Sequence, residues 1–231
     1  RPPRSTLFPY TTLFRSYVLV ATRYPGEASR DVSVTIDGNK TQDLQMEGEA
    51  MVDKPNLYLY PTTPTRVKVT LDLAPERRIT QSIPEYGRGW DVLAEPSGLL
   101  DGRYTYLFYE AEVPKSYLAR EGWNVPAGEL AGFFNRVLKD YGLTAAETKD
   151  FVDYWPTHLP AAPHYLVYPL DRAQIDAMVG LNISPAPDSL FRLWFVVAPS
   201  ASPRELPAPA VLPALRLGFA AVEWGVIVQG R

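Results

Sequence analysis

Proline occupies 23 of the 231 positions, about twice the usual share of roughly 5%. A proline ring removes an amide donor and clashes with the preceding turn. It therefore ends helices, and within sheets it is confined to edges and bulges. A chain punctuated this often is expected to fold as many short elements joined by stiff loops. Fourteen tyrosines and five tryptophans add side chains that favour strands. Apolar residues make up 46%, enough to build a core and too many for a disordered chain.

The strand pattern is densest early. Val32, Val34 and Ile36 alternate with polar residues before Asp37-Gly38-Asn39, which predicts a hairpin within 31–45. Asn56 to Tyr60 predicts a strand. Thr65 to Leu73 places Val67, Val69, Leu71 and Leu73 on one face and Arg66, Lys68, Thr70 and Asp72 on the other, the pattern of a half-buried antiparallel strand. Further strands are expected at 78–83, 90–94 and 103–113. The middle changes period. Leu130, Phe133, Phe134, Val137, Leu138 and Tyr141 fall on one face of a helix over 126–141. Thr144 and Glu147 have capping-box spacing, which starts a second helix two residues after the first ends. The pair is expected to form a helical hairpin. Asp171 and Gln174 mark a third, short helix. Leu190 to Ala198 and Phe219 to Val228 are apolar on both faces, as central strands are. Between them, 199–213 carries five prolines and predicts an extended, solvated segment. The fold expected is α+β: mainly antiparallel β, sandwich-like, with a helical hairpin and one further short helix.

Thr6 to Ser16, TLFPYTTLFRS, resembles the translation of a common sequencing-library adapter in one reading frame. Residues 1–16 are therefore expected to be a non-native tail with no partner in the core. Residues 17–52 are expected to form an N-terminal hairpin and linker. Residues 53–231 are expected to be a single α+β domain, β-rich over 53–113, with the helices and central strands over 114–231. Three other stretches carry a family likeness: Lys54-Pro55-Asn56-Leu57-Tyr58-Leu59-Tyr60-Pro61, Pro84-Glu85-Tyr86-Gly87-Arg88-Gly89-Trp90, and Val222-Glu223-Trp224-Gly225. Together they resemble a group of bacterial proteins with a KPxxYLYP element, some of them exported, for which no activity or catalytic residue is established. The resemblance implies a bacterial protein and favours a location outside the cytoplasm.

Charge suggests where chemistry could sit. Arg192 and Glu223 each lie mid-strand among apolar neighbours. An unpaired buried charge is very costly, so the two strands are expected to pair and the two side chains to form an internal ion pair. A functional reading of Glu223 places it instead in a cleft as an acid or base. Glu110 and Glu112 follow Tyr104, Tyr106 and Phe108 at alternating positions. Aromatic rings beside a carboxylate suit a sugar platform, and Glu110 with Glu223 would suit a glycosidase if both lined one pocket. Tyr86, Arg88 and Trp90 lie in a glycine-rich loop and are candidate ligand-binding residues. The same glycines are equally explained by a structural turn with Trp90 tucked inward.

His158, His164 and Asp153 match no metal-ligand spacing, and neither metal nor cofactor is expected. The chain has no cysteine, which excludes thiol nucleophiles and Cys-ligated metals. Net charge is −3, with only Arg77 and Arg78 adjacent among the basic residues, so nucleic acid is not an expected partner. No apolar run approaches the ~20 residues that span a bilayer. The leading expectation is a non-catalytic envelope or secreted module that binds a protein or glycan surface. The alternative is a glycosidase-like hydrolase using Glu223 and Glu110.

Overall fold

The computed structural model describes residues 15–19, 32–36, 49–115, 117 and 119–229. The chain divides between Gly48 and Glu49 into two compact units. In the first, β1 (Arg15–Leu19) pairs antiparallel with β2 (Val32–Ile36). The strand expected at 32–36 is present. Its partner is β1, and the expected turn at 37–39 lies outside the described residues. Arg15 and Ser16 of the expected non-native tail pair with Ile36 and Thr35. Strand pairing runs through backbone groups, so it does not require side chains selected for the purpose.

The second unit has three layers. Its middle layer is a seven-stranded sheet in the order β5-β7-β3-β12-β11-β9-β8. These strands are β3 (Glu49–Tyr60), β5 (Ile79–Ile83), β7 (Leu107–Pro114), β8 (Trp123–Pro126), β9 (His164–Leu170), β11 (Ser189–Ser200) and β12 (Ala220–Val228). One face is covered by a second sheet of three strands, β4 (Thr65–Asp72), β6 (Trp90–Ala94) and β10 (Gly180–Ser184), in the order β10-β4-β6. Val67 and Val69 of β4 and Trp90, Val92 and Ala94 of β6 pack here against Leu57, Leu59, Tyr109, Trp194 and Ala221. The other face carries α1 (Leu130–Asp140), α2 (Ala145–Val152) and α3 (Trp155–His158). Leu130, Phe133, Phe134, Val137 and Leu138 of α1 meet Phe195, Val222, Trp224 and Val226 of the sheet. A further helix, α4 (Arg172–Met178), turns Ile175 and Met178 into the sheet–sheet core. Three layers bury both faces of the middle sheet, which is why β12 is buried along its whole length.

Local signals account for the boundaries. Thr144 Oγ1 accepts from the Glu147 amide at 3.3 Å while Glu147 Oε2 accepts from the Thr144 amide at 2.8 Å. Gly142 closes α1 with φ +80°, a conformation that favours glycine. Asp171 caps α4 by accepting from the Gln174 amide at 2.8 Å. The pairing is antiparallel throughout except between β11 and β12, which run parallel. Parallel neighbours need a long crossover, and the proline-rich segment after Ser200 supplies it. That segment is tied down by hydrogen bonds from the Gly122 amide to Pro207 O and from the Ala214 amide to Tyr141 O. Arg216 adds an ion pair to Glu147 at 2.5 Å. Two expected boundaries move. The strand expected from 103 begins at Leu107, and the strand expected from Asn56 begins at Glu49, inside the stretch expected to be linker. No helix among the described residues is long and apolar enough to cross a membrane.

Candidate functional site

The Arg192–Glu223 site lies between the two sheets. The parallel register sets Arg192 opposite Glu223, and Arg192 Nε donates to Glu223 Oε2 at 2.7 Å. Both side chains are completely buried. Arg192 Nη1 also donates to Asp176 Oδ1 and to Val179 O, each at 2.7 Å. Glu223 accepts from the Tyr109 hydroxyl at 2.9 Å and from Trp194 Nε1 at 3.0 Å. Burial works against the charged guanidinium, but Glu223, Tyr109 and Asp176 together outweigh it and hold the Arg192 pKa above its ordinary value. Burial, together with the charge of Glu223, pushes the Tyr109 hydroxyl well up. Glu223 has no open face: it is an interior anion held by three donors, in the arrangement that makes a buried charge tolerable.

The glycine-rich loop supports this interior. Trp90 is buried, its Nε1 donates to Pro84 O at 2.8 Å, and its ring lies 4.9 Å from that of Tyr86 and 6.2 Å from that of Tyr109. The Tyr86 hydroxyl accepts from the Leu71 amide at 2.7 Å. Of the three candidate ligand-binding residues, only Arg88 is exposed. Tyr86 and Trp90 are turned inward and hold the three-stranded sheet to its neighbour.

Glu110 lies elsewhere. Successive strand side chains point to opposite faces, and Tyr109 reaches Glu223 between the sheets. Glu110, the next residue, lines a cleft on the helix side of the middle sheet. The sheet thus separates Glu110 from Glu223, and the two carboxylates do not share a pocket. Phe108 and Glu110 come to the cleft from β7. Tyr104 and Tyr106 come from the turn before it, Gln81 and Ile83 from β5, and Tyr154 from the residue before α3. The cleft has a volume of about 410 Å³. Glu112, the last of the alternating series, is paired with Arg78 at 3.0 Å.

Lys54, which sequence reasoning did not single out, also lines this cleft. Val52 and Leu57 both pack in the sheet–sheet core. They are five residues apart, so regular alternation would put them on opposite faces. An extra residue resolves the conflict. The registers of β3 against both β7 and β12 slip between Val52 and Asn56, the mark of a β-bulge. Within the bulge Lys54 has φ +54°, an unusual conformation for a residue with a side chain. Pro55 follows and has no amide to pair. Gly225 of β12 lies against it, since a Cβ there would come within 3.2 Å of Pro55 Cγ and 3.0 Å of Trp194 Nε1. The KP and VEWG stretches are therefore in contact across the sheet. The bulge aims Lys54 at the cleft, where its Nζ lies 4.6 Å from the ring centre of Tyr154, 5.7 Å from that of Phe108 and 5.8 Å from that of Tyr106. Such distances suit cation–π attraction. Burial lowers the Lys54 pKa, against the opposing pull of Asp150 and Glu110.

Beneath the cleft, the Tyr58 hydroxyl donates to Asp150 Oδ2 at 2.9 Å, and burial with the Asp150 charge pushes the phenol up. Asn56 is completely buried, and neither its amide nitrogen nor its amide oxygen completes a hydrogen bond. His158 stacks on Tyr154 at 3.7 Å, and His164 Nδ1 lies 3.3 Å from Asn124 Nδ2. Among the described residues no group of three or more His, Cys, Asp or Glu side chains could hold a metal ion. Comparison with family models, curated proteins and solved structures finds no match.

Proposed function

We propose that the 49–231 unit is a non-catalytic binding module, acting in the cell envelope or after secretion, and that it holds a glycan in the cleft around Lys54. The observation that carries this reading is the cleft's composition. Tyr104, Tyr106, Phe108 and Tyr154 present rings while Lys54, Gln81, Arg103 and Glu110 supply polar groups among them. Sugar rings present polarised C–H faces that stack on the electron-rich faces of aromatics, and their hydroxyls take both donors and acceptors. A cleft of about 410 Å³ falls in the size range of small-ligand sites. The location outside the cytoplasm is supported by the resemblance to the KPxxYLYP group. A glycosidase built on Glu110 and Glu223 has no support, because those carboxylates lie on opposite faces of the sheet.

The test is a titration of the protein with a panel of neutral and acidic oligosaccharides, followed by amide chemical-shift changes. Saturable shifts are expected at Tyr106, Phe108 and Glu110 and not at Arg88, with affinity reduced about tenfold in Tyr106→Ala, a loss of ~1.4 kcal/mol. Absence of binding across the panel, or equal binding by Tyr106→Ala, overturns the glycan reading. Saturable binding of a peptide library in the same cleft would replace it with a protein partner.

A further inference from the structure

Lys54 combines four features that packing alone does not require. It sits on a bulge that reverses the phase of a 12-residue strand. Its backbone adopts φ +54°, a cost that persists only where the surroundings enforce it and that clusters at functional positions. Its amine is ringed by Tyr154, Phe108 and Tyr106 at 4.6–5.8 Å and opens onto the cleft. Glu110 lines the same cleft, and its charge acts on the Lys54 amine.

We propose that Lys54 is a reactive amine that captures a carbonyl-bearing ligand, such as the open-chain aldehyde of a reducing sugar, as an imine. The inference rests on the binding reading only for where that ligand sits. The Nζ lone pair forms a C–N bond to the carbonyl carbon as the C=O π pair moves to oxygen, and the nitrogen passes its proton to that oxygen, giving a carbinolamine. The C–O bond then breaks, oxygen leaves as water after taking a second proton, the nitrogen pair closes C=N, and nitrogen releases its remaining proton, replacing the one that left with the water. Amine and carbonyl become imine and water, with no oxidant or reductant. Glu110 is placed to carry the proton that leaves with the water. A lysine desolvated among apolar groups is the usual form of an imine-forming nucleophile, and burial holds this amine below its ordinary pKa.

The experiment treats the folded chain with propionaldehyde and cyanoborohydride at neutral pH, then maps alkylation by peptide mass spectrometry. Lys68 and Lys139, both exposed, are internal references. Lys54 is expected to label several-fold faster than either, with the difference abolished in urea. Labelling no faster than the references overturns the proposal. Lys54→Arg keeps the charge and the ring contacts and is expected to lose the adduct while the labelling of Lys68 and Lys139 is unchanged. The oligosaccharide panel separates this idea from the binding reading. Sugar binding with an ordinary Lys54 rate removes the imine and leaves the module. Fast Lys54 labelling that no oligosaccharide slows removes the glycan and leaves the reactive amine.

Discussion

On the sheet-facing side of β12, Glu223 is completely buried and held by Arg192, Tyr109 and Trp194. On the helix-facing side of β3, Lys54 is half-buried and has three rings around its amine. Both charges sit mid-strand in one sheet, and both follow from packing constraints nearby. The first is closed: its charge is matched by hydrogen bonds from three residues on two strands, β7 and β11, so it stabilises by fixing β11 against β12 and is shut off from solvent. The second is open: it is desolvated without being fully matched, and it faces a cavity. A buried charge is thus a structural device where an opposite charge and hydrogen bonds hold it and solvent cannot reach it. It is a candidate for chemistry where burial and access occur together.

Breaking the closed site should have the largest effect. Arg192→Met strands the Glu223 carboxylate, and urea denaturation is expected to show a loss of about 3–5 kcal/mol. The double variant Arg192→Met with Glu223→Leu should recover much of that loss, because it removes the stranded charge as well. If the single variant is near wild type, the interior pair does not hold the two strands. Next in size is Tyr109→Phe, which takes one donor from Glu223 and leaves the others. A loss of about 1–3 kcal/mol is expected from chemical denaturation.

At the open site the expected effects are smaller and differ in kind. Lys54→Gly should be more stable than Lys54→Ala by about 1 kcal/mol, because only glycine adopts the left-handed conformation without strain. Equal stability would mean that the bulge imposes no backbone cost. The smallest effect at neutral pH concerns the phenols. Burial pushes Tyr141 up to about 12, and Tyr58, Tyr60 and Tyr109 are also raised, chiefly by burial. The native state therefore favours the neutral phenol. That contribution is complete below the ordinary tyrosine pKa of ~10 and is lost as the pH climbs above it, for Tyr141 through about 12. Absorbance titration should show these tyrosines ionising together with alkaline unfolding. Smooth, independent ionisation near pH 10 would contradict their burial.

Much of the architecture was legible locally. The alternation over 65–73 became a strand with Val67 and Val69 buried, and the helical face from Leu130 to Leu138 became the buried face of α1. The capping box at Thr144 is complete. These are periodic signals, and each depends on a single element meeting a core. The reading of Arg192 and Glu223 also succeeded from local pattern, since a charge between apolar neighbours needs a partner wherever it lies. The aromatic series ending in Glu110 and Glu112 was half legible. Phe108 and Glu110 share the cleft, but Tyr104 and Tyr106 reach it from a turn rather than from the strand.

The amino-acid order by itself determined the α+β content, the helical hairpin, the central character of β11 and β12, and the need for an internal ion pair. All of these follow from residue type and short-range spacing. Only the tertiary structure decided that β11 and β12 run parallel, that β10, β4 and β6 make up the second sheet, and that Glu110 and Glu223 are on opposite sides. It alone showed Lys54 lining a cleft. The signal was present as Lys54-Pro55 inside a strand, but a bulge becomes visible only when register is counted against two neighbours. That count depends on contacts from β7 and β12, which are distant in the chain and joined only by folding.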